Sequence, residues 1–549
     1  MIFDPLIDHY DELLDGHYDC VDRIVLSAYN YFIQSGGGFR LWWRELHGDE
    51  ATLDNTHLMR YAGRFARRVR AFAEAHGIPL IDCQRGQRKQ EIADEHIPVE
   101  PEPDFEGLMC ILVGRAPAPL REIIRCTNGQ PHIQTKKPYP YANWYSFHIM
   151  DREWGHLIIR FCPHPPFNAQ ILLNGHEYVA RRAAREGIGF TKEGNCFTNI
   201  SDVAGLARVA DAMAAECGEG RLAKICERWI YSTCLCFALD TDDQERTRFR
   251  YGYSVYQIEY SRNLLFTRGR VLDSVFDGII DRTRSRLDIK TVRTLFGYKQ
   301  RPYHKSRASR CEVVVERPVY NLTVFKVHFK RLTLKIYSKG EHVLRIEAIA
   351  HNTRDLRSRR GIDAMSDMVA ELRQMVERFT ATLQASHVSF IDAGTLERWP
   401  ERETVNGRPV AGLDVNRPRM RAAMEAVVAL SLQPTGFTAA DHARKVCEIL
   451  NKDTDAYQPR QAAYDLKKLR AKGLAHKIKG ARRYEAGEEG LRQMSAFITL
   501  RDKVLSPLLT GGCKLKRGPK RLNHSEIDTH YEIIQGQMQK LFETIGISA

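Results

Sequence analysis

The chain has 549 residues, 43% of them hydrophobic, and a net charge of +14 at pH 7. That length exceeds one ordinary core, and the composition is that of a folded protein, which excludes the disordered and fibrous classes. No run approaches the ~18 to 20 apolar residues of a membrane span, so no membrane partner is expected, and the 13 scattered cysteines read as reduced thiols of a cytoplasmic protein.

The first residues, MIFDPLIDHYDELLDG, are acidic and lack the apolar core of a secretory leader. Residues 1–48 read as mainly helical, with Gly36, Gly37 and Gly38 as a turn before a buried aromatic segment holding Trp42 and Trp43. A long helix follows over 55–76. Tyr61, Phe65, Val69 and Phe72 form its core face, and Arg60, Arg64, Arg67, Arg68 and Arg70 cover the rest. Arg64, Arg67 and Arg68 are therefore candidate phosphate contacts, unless acids elsewhere in the chain pair with them. GIPLIDC and LMCILVGRA read as buried strands on either side of an acidic, proline-rich connector.

From Tyr141 the texture changes. NWYSFHIMD and WGHLIIRFC read as aromatic-rich strands, and NAQILLNGHEYVARRAAREG as helix. Asp151, His156, His176 and Glu177 concentrate here with His148 and His164, a supply of imidazole and carboxylate suited to acid–base work or a metal. GFTKEGNCFTNISD is a polar loop, 202–240 is helical, and RFRYGYSVYQIEYSRNLLF is a strand. Its Tyr260 is a candidate nucleophile for a phosphodiester. From Asp281 to Arg310, ten Lys/Arg face two Asp, so this stretch is a further basic patch.

Residues 312–352 form an antiparallel meander with turns at Arg317-Pro318, Lys330-Arg331 and Lys339-Gly340. Alternation puts Lys335, Tyr337 and Lys339 on one face of their strand, and Arg345 and Glu347 on one face of the next. The pairing of IYSKGE with LRIE, within 332–351, resembles a stretch of phage and plasmid rolling-circle replication initiators, which nick DNA with a tyrosine. The resemblance implies Lys339, Arg345 and Glu347 as site positions. The His-hydrophobe-His metal motif of those initiators has no counterpart at His148 or His156.

A helix over 361–386 and a strand HVSFIDAG lead to a turn-rich linker and a helix from Arg419 to Leu430. GFTAADHARKVCEIL then reads as a helix capped by Thr438. In QPRQAAYDLKKLRAKGLAHKIKGARRYE, Ala462, Leu466 and Leu469 make an apolar stripe, Gly473 ends the helix, and two short strands flank a basic turn. This order of elements resembles the recognition helix and wing of a winged helix. From Gln458 to Arg483 nine Lys/Arg accompany one acid, Asp465, so Arg460, Lys467, Lys468, Arg470, Lys472, Lys477, Arg482 and Arg483 are candidate nucleic-acid contacts. A basic tail segment and a helix over 526–545 close the chain.

The expected fold is α+β and multidomain, with a central antiparallel β meander, helices and a C-terminal winged helix. Boundaries are expected near 130, 310, 410 and 495, and no internal sequence repeat is evident. The function read from these features is DNA processing by a mobile-element protein, an initiator, nickase or transposase-like enzyme. Its candidate catalytic residues are Asp151, His156, His176, Glu177, Tyr260 and Glu347, with Mg²⁺ or Mn²⁺ as the cofactor of a nuclease. A winged-helix transcription regulator without catalysis, binding a palindrome as a dimer, is the second reading. An RNA-binding or RNA-directed effector is the third.

Overall fold

The computed structural model describes residues 5–48, 52–97, 105–125, 131–286, 293–296, 311–319, 322–387, 393–405, 407–501 and a few positions between 526 and 540. Most of the basic stretch 281–310, the strand expected at HVSFIDAG, the basic tail and most of the terminal helix lie outside the described residues.

The described residues are mixed helix and strand, and twelve strands form one sheet. They are β1 (Leu14–Tyr29), β2 (Leu80–Asp82), β3 (Gly107–Pro117), β4 (Tyr141–Asp151), β5 (Gly155–Phe161) and β6 (Ala169–Asn174). The second six are β7 (Gly252–Phe266), β8 (Arg293–Phe296), β9 (Cys311–Val319), β10 (Leu322–Phe329), β11 (Leu332–Lys339) and β12 (Val343–Ala350). Their spatial order is β8-β9-β10-β11-β12-β7-β1-β6-β5-β4-β3-β2. Neighbours are antiparallel except at the two edges, where β2 runs parallel to β3 and β8 parallel to β9.

This order repeats one topology twice. Each half starts with a long strand, sends the chain to the far edge for a short parallel strand, and returns through an antiparallel meander. The last meander strand pairs with the long strand that began the half, β6 with β1 and β12 with β7. The long strands β1 and β7 pair with each other from Leu14↔Phe266 to Tyr29↔Gly252. The meander read from 312–352 is thus one arm of a sheet that crosses the boundaries expected near 130 and 310. The repeat is one of topology.

One face of the sheet is covered by helices, among them α1 (Gly36–His47), α2 (Asn55–Ala75), α5 (Val203–Glu216) and α7 (Met365–His387). The core-facing residues follow period two along the strands. Phe147, Ile159, Ile171, Leu26, Ile258, Ile346 and Phe325 are fully or almost fully buried. Phe65 of α2 packs on Tyr145, Phe147 and Phe161, and Phe379 of α7 on Phe325. The other face bears α3 (Lys89–Asp94) over Cys110 and Leu112, a small apolar cluster of Ala118, Ala142, Trp144 and Cys162, and a set of buried polar side chains near β1, β7 and β12. α4 (Gly175–Arg185) follows β6, and α6 (Gly269–Arg286) follows β7.

Four expectations change. Residues 14–29, read as helix, are the central strand β1. A bulge at Asp22–Arg23 breaks the alternation that marks a strand, so the apolar residues Val21, Ile24, Val25 and Leu26 mimic helical spacing. NAQILLNGHEYVARRAAREG is strand as far as Asn174 and helix only from Gly175. At Arg317-Pro318, β9 continues to Val319, so no turn falls there. Gly36–Gly38 form the first turn of α1, with Trp42 and Trp43 buried behind them.

The C-terminal part packs against α7. It comprises α8 (Pro418–Leu430), α9 (Ala439–Ile449), α10 (Pro459–Ala471), β13 (Ala475–Lys477), β14 (Tyr484–Ala486) and α11 (Glu488–Leu500). Thr438 caps α9 in a reciprocal box with Asp441. Arg378 of α7 donates to the Pro434 carbonyl at 2.7 Å and pairs with Glu485 at 3.2 Å, which ties this part to the sheet layer.

Gly175 is the tightest junction. A Cβ there would lie 1.8 Å from the Val21 carbonyl oxygen, whereas a Cβ at Gly37, inside α1, meets nothing within 4 Å. Gly175→Ala should therefore cost about 1–3 kcal/mol. Gly37→Ala should be neutral or stabilising by up to about 1 kcal/mol. Urea unfolding of the two variants measures the contrast.

Candidate functional site

The site grows from the bulge in β1. Val21 pairs with Tyr260 and Ile24 with Ile258, so two residues, Asp22 and Arg23, oppose the single Glu259. Bulges re-aim side chains: alternation places Cys20 and Asp22 on the polar face, and the extra residue returns Ile24 to the core face beside Ile258. β6 ends beside it, where Asn174 pairs with Arg23. The chain then enters α4, whose Asn174 cap accepts from the His176 backbone N–H at 3.0 Å. The first turn of α4 thereby brings His176 against Asp22.

From the other side, β7 and β12 supply Ser261, Arg345 and Glu347. The register aligns Ser261 with Glu347 and Glu347 with Lys335, and Asn263 with Arg345 and Arg345 with Tyr337. Period two puts all of them on the polar face. The Arg345 guanidinium donates to Asp22 Oδ2 at 2.6 Å, to Ser261 Oγ at 3.0 Å and to the Asn195 carbonyl at 2.6 Å. Its Nε lies 3.1 Å from Glu347 Oε1. Ser261 donates to Asp22 Oδ1 at 2.9 Å. Glu347 also accepts from the Tyr337 hydroxyl and pairs with Lys335. The hairpin Thr191–Lys192 and Phe197–Thr198 lies beside the cluster, with the Phe197 N–H donating to Tyr18 Oη at 2.9 Å.

Burial and charge act against each other here. Burial pushes the Asp22 carboxyl up, but Arg345 and then His176 pull it down to about 2. Burial alone would favour a neutral Arg345; Asp22 and Glu347 hold it charged. Burial lowers His176 against the pull of Asp22, so the imidazole is neutral. Burial, helped by Glu347, raises Tyr337 and, with Asp22 added, Glu259. Lys339 is lowered by burial and by Arg345. The cluster thus places a carboxylate, an imidazole and Glu259, whose carboxyl is raised above its usual range, near one another, the parts of general acid–base chemistry.

On the helix face a separate network joins Asp19, Tyr260, Arg262 and Arg373. Tyr260 donates to Asp19 at 2.5 Å, and Arg262 grips Asp19 at 2.9 and 3.0 Å. Burial and Asp19 raise the Tyr260 hydroxyl well above its usual range.

The candidate catalytic residues therefore fall in different places. His176 and Glu347 share the cluster. Tyr260, one residue from Ser261, points to the opposite face, so a strand cut by Tyr260 together with Glu347 is not what the geometry offers. Asp151 is buried at the β4–β5 turn. It accepts from the Glu153 and Trp154 N–H groups and the Trp229 indole, all at 2.8 Å, a structural role. His156 stacks on His148, with Nε2 3.0 Å from Nδ1. Glu177 pairs with Lys192 at 2.5 Å.

Among the basic candidates, Arg64 donates to the Ala238 carbonyl and lies 3.9 Å from Asp243, and Arg68 lies 3.9 Å from Asp240. Arg67 is exposed. Lys472 is engaged by Glu403 at 2.9 Å, and Arg483 forks onto the Thr435 and Gly436 carbonyls. Arg460, Arg470, Lys477 and Arg482 are exposed, and Lys467 and Lys468 half-exposed. Asp19, Cys20, Asp22, Ser261 and Asn263 were not singled out from the sequence. The two acids and the cysteine inside the apolar run of β1 were the only signal, and the bulge hid their strand.

No family model, curated protein or solved structure matches the chain.

Removing one member of the Asp22–Arg345 pair strands a buried charge. Arg345→Met and Asp22→Asn should each destabilise by about 3–5 kcal/mol, and the double variant should recover much of that loss. Denaturant unfolding of the three variants checks it.

A second expectation concerns acid. Burial, then His156 and Lys89, lowers His148 to about 3. Between that value and the ~6.5 of the unfolded chain, the unfolded state binds more protons. The stabilisation is complete above pH ~6.5 and is lost toward pH 3, at up to about 1.4 kcal/mol per pH unit. His148→Gln should flatten the stability profile between pH 6 and pH 4.

Proposed function

We propose that the protein binds DNA through its C-terminal part, read as a winged helix, and processes phosphodiester bonds at the polar face of the sheet. The observation that carries this reading is the composition of the exposed face of α10. Its only acid, Asp465, is fully buried, paired with Arg419 at 3.0 Å and accepting from Tyr457 at 2.7 Å. Arg460, Lys467, Lys468 and Arg470 are thus left without an acid on their own helix, around Tyr464, which is 49% exposed under the Lys468 ammonium. Cations interleaved with an exposed aromatic suit phosphate and base together. Lys477, Lys479 and Arg482 extend the basic surface across the β13–β14 turn, as a wing would.

The chemistry is assigned to the Asp22, His176, Glu259, Arg345 and Glu347 cluster. The likeness of residues 332–351 to rolling-circle initiators supports this, since Lys339, Arg345 and Glu347 are those positions. The second reading, a regulator without catalysis, draws on one observation. Glu347 is already engaged by Tyr337, Lys335 and Arg345, which closes the cluster with its own ion pairs.

Gel-shift titration tests the binding. Changing Arg460, Lys467, Lys468 and Arg470 together to Gln should weaken duplex DNA binding by tenfold or more and reduce the salt slope by up to about 4. Unchanged affinity rejects the surface, and stronger retention of RNA than of DNA favours the third class of partner. Incubation with supercoiled DNA carrying the gene's own flanks, with Mg²⁺ or Mn²⁺, separates the first two. Cutting that is lost in Glu259→Gln supports the enzyme, and a footprint without cutting leaves the regulator.

A further inference from the structure

We propose that Cys20, Asp22 and His176 bind a single transition-metal dication of the Zn²⁺ or Co²⁺ kind. Each residue offers one donor atom, and the three atoms lie within 4.8 Å of one another. Cys20 and Asp22 stand two apart on β1 and face the same side of the sheet, and His176 is brought to them by the first turn of α4. All three side chains are buried, His176 completely.

The imidazole supplies the second observation. His176 Nδ1 lies 2.9 Å from Asp22 Oδ1, while Nε2, equally buried, has no hydrogen-bond partner. A fully buried imidazole nitrogen left without a partner is uncommon and costly. A cation that takes an imidazole lone pair and a carboxylate oxygen removes that cost. The surroundings are those of a metal site. Asp22 keeps Oδ2 for Arg345 and receives Ser261 on Oδ1, and such outer partners orient ligating carboxylates.

The donor charges also suit a dication. On binding, the Cys20 S–H bond breaks, an S–metal bond forms, and the proton leaves to solvent. Thiolate and Asp22 together bring two negative charges to the dication, while Glu347 lies between Arg345 and Lys335. A thiolate and an imidazole select a borderline ion over hard Mg²⁺, and three protein donors leave the fourth tetrahedral position open. The ion is therefore different from the Mg²⁺ or Mn²⁺ expected of a nuclease. The inference stands apart from the DNA reading, because metal content is measured with no nucleic acid present.

The test uses the full chain, with metal analysis of the purified protein and Co²⁺ titration after chelation. Equimolar metal is expected, together with a thiolate-to-cobalt charge-transfer band and visible d–d bands. Cys20→Ala and His176→Gln should each lower metal retention tenfold or more. Cys196→Ala, which removes a neighbouring thiol outside the donor set, should keep the spectrum. Far-UV circular dichroism verifies that the variants fold. Should Cys20→Ala fail to fold, the wild-type cobalt spectrum decides alone. No thiolate band in the wild type, or a band that persists in Cys20→Ala, overturns the proposal.

Discussion

The contact between Asp22 and Arg345 holds the architecture together. Asp22 belongs to the first half of the duplicated sheet and Arg345 to the second, and the guanidinium reaches across β7 to make the pair. Both charges are taken out of water, which costs several kcal/mol per ion unless the geometry is good and the remaining donors and acceptors are filled. Here Ser261, Asn195 and Glu347 fill most of them. A buried pair of this kind specifies one arrangement of β1, β7 and β12 more than it adds net stability.

The two halves differ where the cluster stands. In the second half, β11 and β12 present Lys335, Tyr337, Arg345 and Glu347 to the polar face. At the corresponding place in the first half, β5 and β6 present Ile158, Arg160, Gln170 and Leu172, all half-exposed. The scaffold is repeated and the chemistry is not. The helix-face network of Asp19, Tyr260, Arg262 and Arg373 stays on its own side, because alternation along β1 and β7 sends neighbouring side chains through opposite faces.

Local rules reached some of this from sequence. Period two in LTLKIYSKG and VLRIEAI put Lys335, Tyr337, Arg345 and Glu347 on shared faces, and the structure places them in contact. Helical spacing found the buried stripe of α10, and Thr438 was legible as a cap. Non-local facts were hidden. Asp22 sits in a bulge that erases its strand's alternation, and its partners lie about 240 and 320 residues further on. The side to which Tyr260 points depends on register with β1 and β12. Lys472 and Arg483 looked like free cations until Glu403 and the Thr435–Gly436 carbonyls appeared beside them. Neither partner is set by the pattern of the elements the cations stand on.

The pairing of β1 with β7 also dictates the order of events during synthesis. β1 is made well before its partner, since the register partner of Leu14 is Phe266. Until more than 200 residues have followed, one long side of β1 is an open edge with unpaired amides. The first half completes its own meander onto the other side of β1 but has nothing to cover this one. Non-local pairing of this kind slows folding and exposes intermediates to aggregation. A chain ending before β7 would therefore present that side of β1 as an open edge ready to pair with another chain.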